Sequence, residues 1–290
     1  MAIPLRKPRP LGTMIAYGFA GLPVSVDLAL AKAMGASVLE VLPDWENLPD
    51  PSSLRSQVVD AGLQLRSAHG SWGHRSIGGI RVDLGSPVEP DRLASVDNLR
   101  RCLDWLNQAG GSFLVVHPGG LSKPEQEPAR REALVRSLVA LAEQASGGNL
   151  VVCVENMPRG VWPGTFMTDL ASILDEIDRP ELALCLDTGH AQLASIPAAE
   201  TLAAGPRLRA VHVHDNDGSA DLHLPPGSGL IDWTAWRNAL DAIDYEGPIL
   251  LECIRRIRHD PTSISVSLLT LLAILTDHPK VIAARDALDA

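Results

Sequence analysis

The chain has 290 residues, of which 46% are hydrophobic, and a formal net charge of −10 at pH 7. A chain of this length can bury a large core, and α/β barrels of about 250 residues form one domain, so we predict a single domain over residues 1–290. The acidic balance argues against affinity for nucleic-acid phosphates, and no apolar run is long enough to span a bilayer.

Two further features bear on location and redox chemistry. The first ten residues, MAIPLRKPRP, lack the apolar segment that follows the basic residues of a secretory signal, so a cytoplasmic protein is expected. The four cysteines show no CxxC spacing, and three of them lie in apolar strand-like runs, where a reduced thiol packs well. A cysteine nucleophile or a zinc knuckle is therefore not expected. The sequence leaves a homo-oligomer open.

Short apolar runs alternate with longer amphipathic stretches along the chain, which is the pattern of βαβ units around a parallel sheet. We predict strands at Thr13–Tyr17, Ser37–Leu42, Gln64–His69, Ser112–His117, Leu150–Glu155, Leu182–Asp187, Arg209–His214 and Pro248–Glu252. Helices are predicted between them, for example over Asp91–Ala109 and Arg131–Gln144, with Thr168 and Asp232 as N-caps of two others. Eight such units imply a closed (β/α)8 barrel rather than an open doubly wound sheet. No dinucleotide-binding or phosphate-loop glycine motif follows the first strand.

Acidic and histidine residues recur where the predicted strands end, and in a barrel these ends carry the chemistry. The residues that end predicted strands are His69, His117, Glu155, Asp187 and Glu252. Strand alternation places Glu155 and Asp187 on the inward side, so both carboxylates should face the barrel lumen. Several buried carboxylates need a shared partner, and a metal ion satisfies them together.

More donors follow in the second half of the chain. His190 lies one turn after the sixth strand, and Asp221 and His223 lie two residues apart in the loop after the seventh. His212 and His214 share strand parity, so the spacing permits either as a ligand. Mixed imidazole and carboxylate ligation suits Zn, Mn, Co or Fe, and also Mg where water fills several positions.

Several motifs resemble those of the xylose-isomerase-like barrel superfamily, which holds sugar isomerases and epimerases and the endonuclease IV group of abasic-site nucleases. They are VEN at Glu155, LDTGH at Asp187, HVHD at His212, DLHLPPGSG at Asp221 and LEC at Glu252. The resemblance implies a mononuclear site formed by Glu155, Asp187, His212 and Glu252. It implies that His190 is a substrate contact, as in the epimerases, or a further ligand, as in the nucleases.

The nuclease group adds ligands in motifs that resemble AHG at His69, VHPGG at His117 and DLH at Asp221 and His223, so the resemblance also allows two or three ions. Other stretches depart from the family. MPRGVWPG replaces the nucleases' glycine-rich sequence after the glutamate, and DNDGSA replaces their Ser/Lys-bearing stretch. The arginine that the epimerases carry six residues past the metal histidine is Gly218 here. These departures argue against DNA cleavage and leave the substrate unassigned.

Aromatic residues indicate what the site could bind. Trp45, Trp72 and Trp162 fall in loops after strands two, three and five, where a flat apolar face could stack on a sugar ring. The alternative is that these tryptophans anchor their loops to the barrel rim. Arg159 and His214 are the other expected substrate contacts.

Two hypotheses follow. The first is a metal-dependent isomerase or epimerase of a sugar, sugar phosphate or polyol, in which Glu155 and Glu252 act as acid and base on opposite faces of an enediolate and His190 holds a substrate hydroxyl. One Zn, Mn, Co or Mg ion is expected, with two or three as the alternative. The second is hydrolysis of a phosphoester by two or three ions, as in an abasic-site endonuclease. Sugar binding without catalysis is the least favoured interpretation.

Overall fold

Eight strands alternate with helices along the computed structural model, which describes residues 8–260, 262 and 264–289. The strands are β1 (Leu11–Tyr17), β2 (Val38–Pro43), β3 (Gln64–His69), β4 (Phe113–Val116), β5 (Val151–Glu155), β6 (Leu182–Asp187), β7 (Leu208–Val213) and β8 (Ile249–Leu251). The helices are α1 (Val24–Ala33), α2 (Pro51–Asp60), α3 (Glu89–Ala109), α4 (Glu127–Ser146), α5 (Met167–Ile177), α6 (Thr188–Ala194), α7 (Pro197–Ala204), α8 (Trp233–Ala242), α9 (Ile254–His259), α10 (Val266–Thr276) and α11 (Pro279–Asp289).

The strands form a closed parallel barrel in chain order, from β1 to β8. The first and last strands close it, with Leu11 paired to Ile249. The predicted (β/α)8 barrel and all eight predicted strands are confirmed, with small differences at the boundaries. Strand β4 ends at Val116 and β8 at Leu251, so His117 and Glu252 each follow their strand by one residue.

Two apolar layers hold the barrel together. Inside the lumen lies a small cluster of Val115, Cys153, Ala183, Cys185 and Ala210, and a much larger cluster fills the space between the sheet and the helices. Because Cys153 and Cys185 face the lumen, the predicted inward direction of Glu155 and Asp187 is confirmed. All four cysteines are free and buried, as predicted.

One of the two predicted helix caps is correct. Asp232 caps α8, since its carboxylate accepts a hydrogen bond from the backbone N–H of Ala235 at 2.9 Å. The prediction for Thr168 is wrong, because α5 begins at Met167 and Thr168 lies inside its first turn. The carboxylate of Glu200 accepts the N–H of Met167 at 2.7 Å. The first backbone N–H of α5 is therefore satisfied by a side chain from α7 instead of by a neighbouring residue in the sequence.

Two predictions concern where the protein resides. The expected lack of a secretory signal rests in large part on residues 1–7, which lie outside the described residues. No helix in the described part of the chain combines the length and apolar character that a membrane crossing requires. The cytoplasmic location and the single-domain extent over 1–290 stay predictions.

Candidate metal centre

The carboxyl ends of six strands bring polar side chains to one mouth of the barrel. They are His69 from β3, His117 after β4, Glu155 from β5, Asp187 from β6, His212 from β7 and Glu252 after β8. Helix α6 adds His190, and the loop between β7 and α8 adds Asp221 and His223. The residues that the sequence predicts as metal ligands therefore lie around this one mouth. Their role as ligands stays a prediction.

The first donor group consists of Glu155, Asp187, His212 and Glu252, each offering one potential ligand atom within 4.8 Å of the others. Nδ1 of His212 lies 2.9 Å from Oε1 of Glu155 and 3.1 Å from Oε2 of Glu252. Oε2 of Glu155 and Oε2 of Glu252 are buried, and among the described residues neither accepts a hydrogen bond of good geometry, although each has an imidazole nitrogen nearby, at 3.2 and 3.1 Å. A buried carboxylate oxygen without a partner is costly, so a divalent cation fits this group.

The second donor group is His69, His117 and Glu155. Oε2 of Glu155 lies 3.2 Å from Nε2 of His117 and 3.6 Å from Nε2 of His69. Since Oε1 of the same carboxylate faces His212, Glu155 lies between the two groups. A carboxylate in this position can bridge two cations about 3.5–4 Å apart.

The third donor group lies beside Asp187, where His214, Asp221 and His223 meet. Nε2 of His223 is 3.1 Å from Asp221, and the rings of His214 and His223 stack with centroids 4.1 Å apart. Nε2 of His190 lies 3.5 Å from the same oxygen, Oδ2 of Asp221. His214 is fully buried, and its Nε2 lies 3.0 Å from Oδ1 of Asp187.

Three of these histidines share one orientation. Nδ1 of each faces a backbone carbonyl, which can only accept: His69 with Gly70 at 2.9 Å, His190 with Asn156 at 2.8 Å and His223 with Glu252 at 3.0 Å. Nδ1 must then carry the proton, and Nε2 is left facing the carboxylates. This arrangement of a backbone carbonyl behind the ring is typical of metal-binding histidines.

Gly189 makes room for His214. A Cβ atom at Gly189 would lie 1.9 Å from Cε1 of His214, far inside van der Waals contact. The glycine of the LDTGH sequence therefore lets the ring of His214 pack against the first turn of α6. No other side chain fits there without displacing the imidazole.

The loop that carries Asp221 and His223 is fixed by Asp215. Its carboxylate accepts hydrogen bonds from the backbone N–H groups of Asn216, Gly227 and Ile231, at 2.9, 2.9 and 3.2 Å, and from Nε1 of Trp233 at 3.1 Å. Backbone pairing between Asp215 and Leu224 closes the loop at its base. Ligands on loops are harder to position than ligands on strands, and here one buried aspartate provides the anchor.

Burial and mutual charge set the protonation of the centre. Burial alone would raise the pKa of Glu155, but the charge of His212 and the close approach of the His117 and His212 rings hold it well below its usual range. Burial would lower the pKa of His190, but the charges of Asp187, Glu155 and Asp221 and the hydrogen bond with Asp221 together outweigh it and raise the pKa to about 10. Burial would also lower the pKa of His223, but the hydrogen bond with Asp221 and the charges of the nearby carboxylates together outweigh it and raise the pKa to about 9. The carboxylates therefore favour protonated rings at His190 and His223, and the nearby rings favour the ionised form of Glu155.

The expected substrate contacts differ in placement. Trp72 packs edge-on against His69, with ring centroids 4.7 Å apart, at the mouth. Arg159 donates to the carbonyl of Ala194 at 3.2 Å, and Trp162 packs on Phe166 in the loop after β5. Trp45 is buried, and its Nε1 donates to the carbonyl of His69 at 3.0 Å, so it anchors its loop to the barrel. The substrate-binding roles of Trp72, Trp162, Arg159 and His214 stay predictions.

Glu40 is a site residue that the sequence analysis missed. It lies in β2, is 1% exposed, and has one oxygen 2.8 Å from Nε2 of His212. The available signal was a charged residue inside the apolar run VLEVL, at a position where a strand is buried on both faces.

Together, the fold and the centre define a class of protein: a (β/α)8 barrel with clustered carboxylate and imidazole donors at its carboxyl-end mouth. The chain belongs to the xylose isomerase-like TIM barrel family, whose model matches residues 28–272. The resemblance read from the second-half motifs is confirmed.

The similar proteins include both a sugar epimerase and a probable endonuclease. The chain is 34% identical over 197 residues to the L-ribulose 3-epimerase of Methylomonas sp. (strain DH-1), covering 65% of this chain and 66% of that protein. It is 30% identical over 158 residues to a probable endonuclease 4 of Mycoplasma mobile, covering 49% of this chain and 56% of that protein. Each alignment spans less than two thirds of the relative. A solved structure of a D-tagatose 3-epimerase-like protein superposes with a TM-score of 0.75 at 22% identity, covering 91% of this chain and 98% of that one, which shows the shared fold.

Proposed function

We propose that the protein is a divalent-metal-dependent sugar epimerase or isomerase. The observation that carries the proposal is the first donor group, in which two carboxylate oxygens of Glu155 and Glu252 lie buried without hydrogen-bond partners in the described part of the chain, beside Asp187 and His212. The similarity to an L-ribulose 3-epimerase supports a small carbohydrate as substrate.

A bound divalent cation would polarise a substrate carbonyl and its neighbouring hydroxyl. The carboxylates of Glu155 and Glu252 both approach Nδ1 of His212, so both lie beside the same small volume. Since the pKa of Glu155 is held low, this carboxylate is ionised at neutral pH and can accept the proton next to the carbonyl. Glu252 would return a proton to the other face of the enediolate, and His190 would hold a substrate hydroxyl.

The test offers the metal-loaded protein a panel of ketoses that includes D-fructose, D-allulose and L-ribulose, in D2O. Turnover should place deuterium at the epimerised carbon, measured by NMR. Glu155→Gln and Glu252→Gln should each lower turnover by about 10²–10⁴-fold, because each removes a ligand charge and a proton carrier. Glu143→Gln, on the exposed face of α4, is the matched control and should keep turnover. Near-normal activity in either site variant would contradict the proposal.

Phosphoester hydrolysis is the second candidate, favoured by one specific observation. Glu155 lies between His212 and the pair His69 and His117, as a bridging carboxylate of a two-ion centre would. The similarity to a probable endonuclease 4 points the same way.

Metal content per chain, measured by elemental analysis of the native protein, separates the candidates. One tightly held ion supports the epimerase, and two or three support the hydrolase. A His69→Ala/His117→Ala variant should keep the ion of the first donor group and lose turnover if these histidines shape a sugar pocket. Stepwise loss of metal, together with cleavage of an abasic-site duplex by the native protein, would favour the hydrolase instead.

A further inference from the structure

Glu40 is a buried carboxylate that the proposed chemistry does not use. It lies in the middle of β2, surrounded by apolar residues of the strand, and only 1% of its surface is exposed. Such a charge needs a close partner. One oxygen accepts the hydroxyl hydrogen of Ser67 at 2.6 Å, and Ser67 is its neighbour in the β2–β3 register. The other lies 2.8 Å from Nε2 of His212.

His212 is turned the opposite way from the other histidines of the centre. His69, His190 and His223 direct Nε2 to the carboxylates, with Nδ1 on a backbone carbonyl. In His212 it is Nδ1 that faces Glu155 and Glu252. Its ring extends from β7 across the lumen to β2, where its Nε2 meets Glu40. A carboxylate there takes the place that a carbonyl takes behind the other rings.

Glu40 itself does not belong to a donor cluster. In the described part of the chain, the groups of potential ligands that include His212 contain Glu155, Asp187, Cys185 and Glu252, but not Glu40. Its two oxygens are already occupied by Ser67 and His212. The geometry fits a partner that lies behind a ligand, not a ligand.

We propose that Glu40 is the positioning residue of the metal centre. Its carboxylate accepts the Nε2–H of His212, which fixes the tautomer and the tilt of the ring and leaves Nδ1, beside Glu155 and Glu252, free to hold a cation. A carboxylate behind a metal-binding imidazole also makes the ring a stronger donor. The inference rests on the proposed metal site and is independent of the sugar reaction.

The test measures Zn²⁺ affinity of the metal-free protein by competition with a chelator, alongside urea unfolding of the same metal-free samples. Glu40→Ala should weaken binding by about 10–100-fold, the usual effect of removing such a partner. Glu40→Gln should weaken it less, because the amide oxygen still accepts from Nε2–H. Ser67→Ala is the matched control: it removes a hydrogen bond to the same carboxylate, leaves the contact with His212, and should cost less than either Glu40 variant.

A second readout reports the ring itself. In the Zn²⁺-loaded protein labelled with ¹⁵N-histidine, the signals of His212, identified by their loss in His212→Gln, should show a protonated Nε2 in the native protein and in Glu40→Gln. Glu40→Ala should show a mixture of tautomers.

Three outcomes would overturn the inference. The first is a folded Glu40→Ala variant that binds Zn²⁺ within about twofold of the native protein, and the second is an equal loss of Zn²⁺ affinity in Ser67→Ala and Glu40→Ala. The third is failure of Glu40→Gln to fold, which would show that Glu40 is needed only for the stability of the barrel. A native protein that binds no divalent cation would instead refute the proposed metal site, whereas tight binding without sugar turnover would refute only the proposed reaction.

Discussion

Replacing Gly189 with alanine tests how tightly His214 is held. The new Cβ would lie 1.9 Å from Cε1, 2.4 Å from Nδ1 and 2.6 Å from Nε2 of that ring. Unbonded carbon atoms rest about 3.5–4.0 Å apart, so the ring would have to retreat by about 1.5–2 Å. It cannot do so freely, because His223 stacks on it with centroids 4.1 Å apart and its Nε2 is 3.0 Å from Asp187.

The cost combines two effects. Overpacking a buried site costs about 1–3 kcal/mol, and loss of the hydrogen bond to a charged carboxylate costs about 1.5–3 kcal/mol. We expect Gly189→Ala to lower the free energy of unfolding by about 3 kcal/mol or more, which corresponds to a fall of about 1 M in the urea midpoint. Gly147→Ala is the control, since its backbone is helical (φ −71°, ψ −17°) and its Cβ would meet nothing closer than 3.7 Å.

A double-mutant cycle assigns the loss to the clash. In a His214→Ala background there is no ring to displace, so Gly189→Ala should cost less than about 1 kcal/mol. The same loss in both backgrounds, or no loss in the native one, would refute the steric account.

Three further predictions address the centre. Zn²⁺ affinity should rise with pH through neutrality. The negative groups around His212 together outweigh its burial and raise its pKa well above the usual value, so cation binding at this member of the first donor group must displace a proton; an affinity independent of pH would contradict it. His212→Ala should lower metal content far more than His214→Ala, measured by elemental analysis, because only His212 belongs to the first donor group; equal losses would contradict this assignment. Asp215→Asn should destabilise the protein by about 1–3 kcal/mol and speed hydrogen exchange in the loop that carries Asp221, because an amide cannot accept all four N–H groups that the carboxylate accepts. Unchanged exchange would show that other contacts hold the loop.

The fold could be predicted from the sequence because its signal repeats. Each apolar run with a turn after it marks one strand, and eight of them in one chain leave few alternatives to a closed barrel. The donors that end strands could be found for the same reason, since parallel strands bring their carboxyl ends to one mouth. The cap of α5 could not, because Met167 is capped by Glu200 from another helix, and local sequence carries no sign of that contact.

The part that Glu40 plays in the site could not be predicted from the sequence either. Its partner His212 lies across the barrel, and nothing near position 40 indicates which strand will face it. The need for glycine at position 189 could not be predicted either. A glycine at the start of a helix usually indicates that the backbone needs conformational freedom, whereas Gly189 is required because the ring of His214 occupies the space of a side chain. Both cases depend on packing between elements distant in the chain.

The closure of the barrel has a consequence for how the protein folds. The donors come from β3 to β8, and the ring is completed only when Leu11 of the first strand pairs with Ile249 of the last. Contacts so distant in sequence form late, after most of the loop-closure entropy has been lost. The first donor group itself draws on four strands, β5 to β8, so we expect an ion to bind it only after these strands have paired, too late to speed the start of folding. Such an ion would lengthen the lifetime of the native state by slowing unfolding, and leave the rate of refolding nearly unchanged.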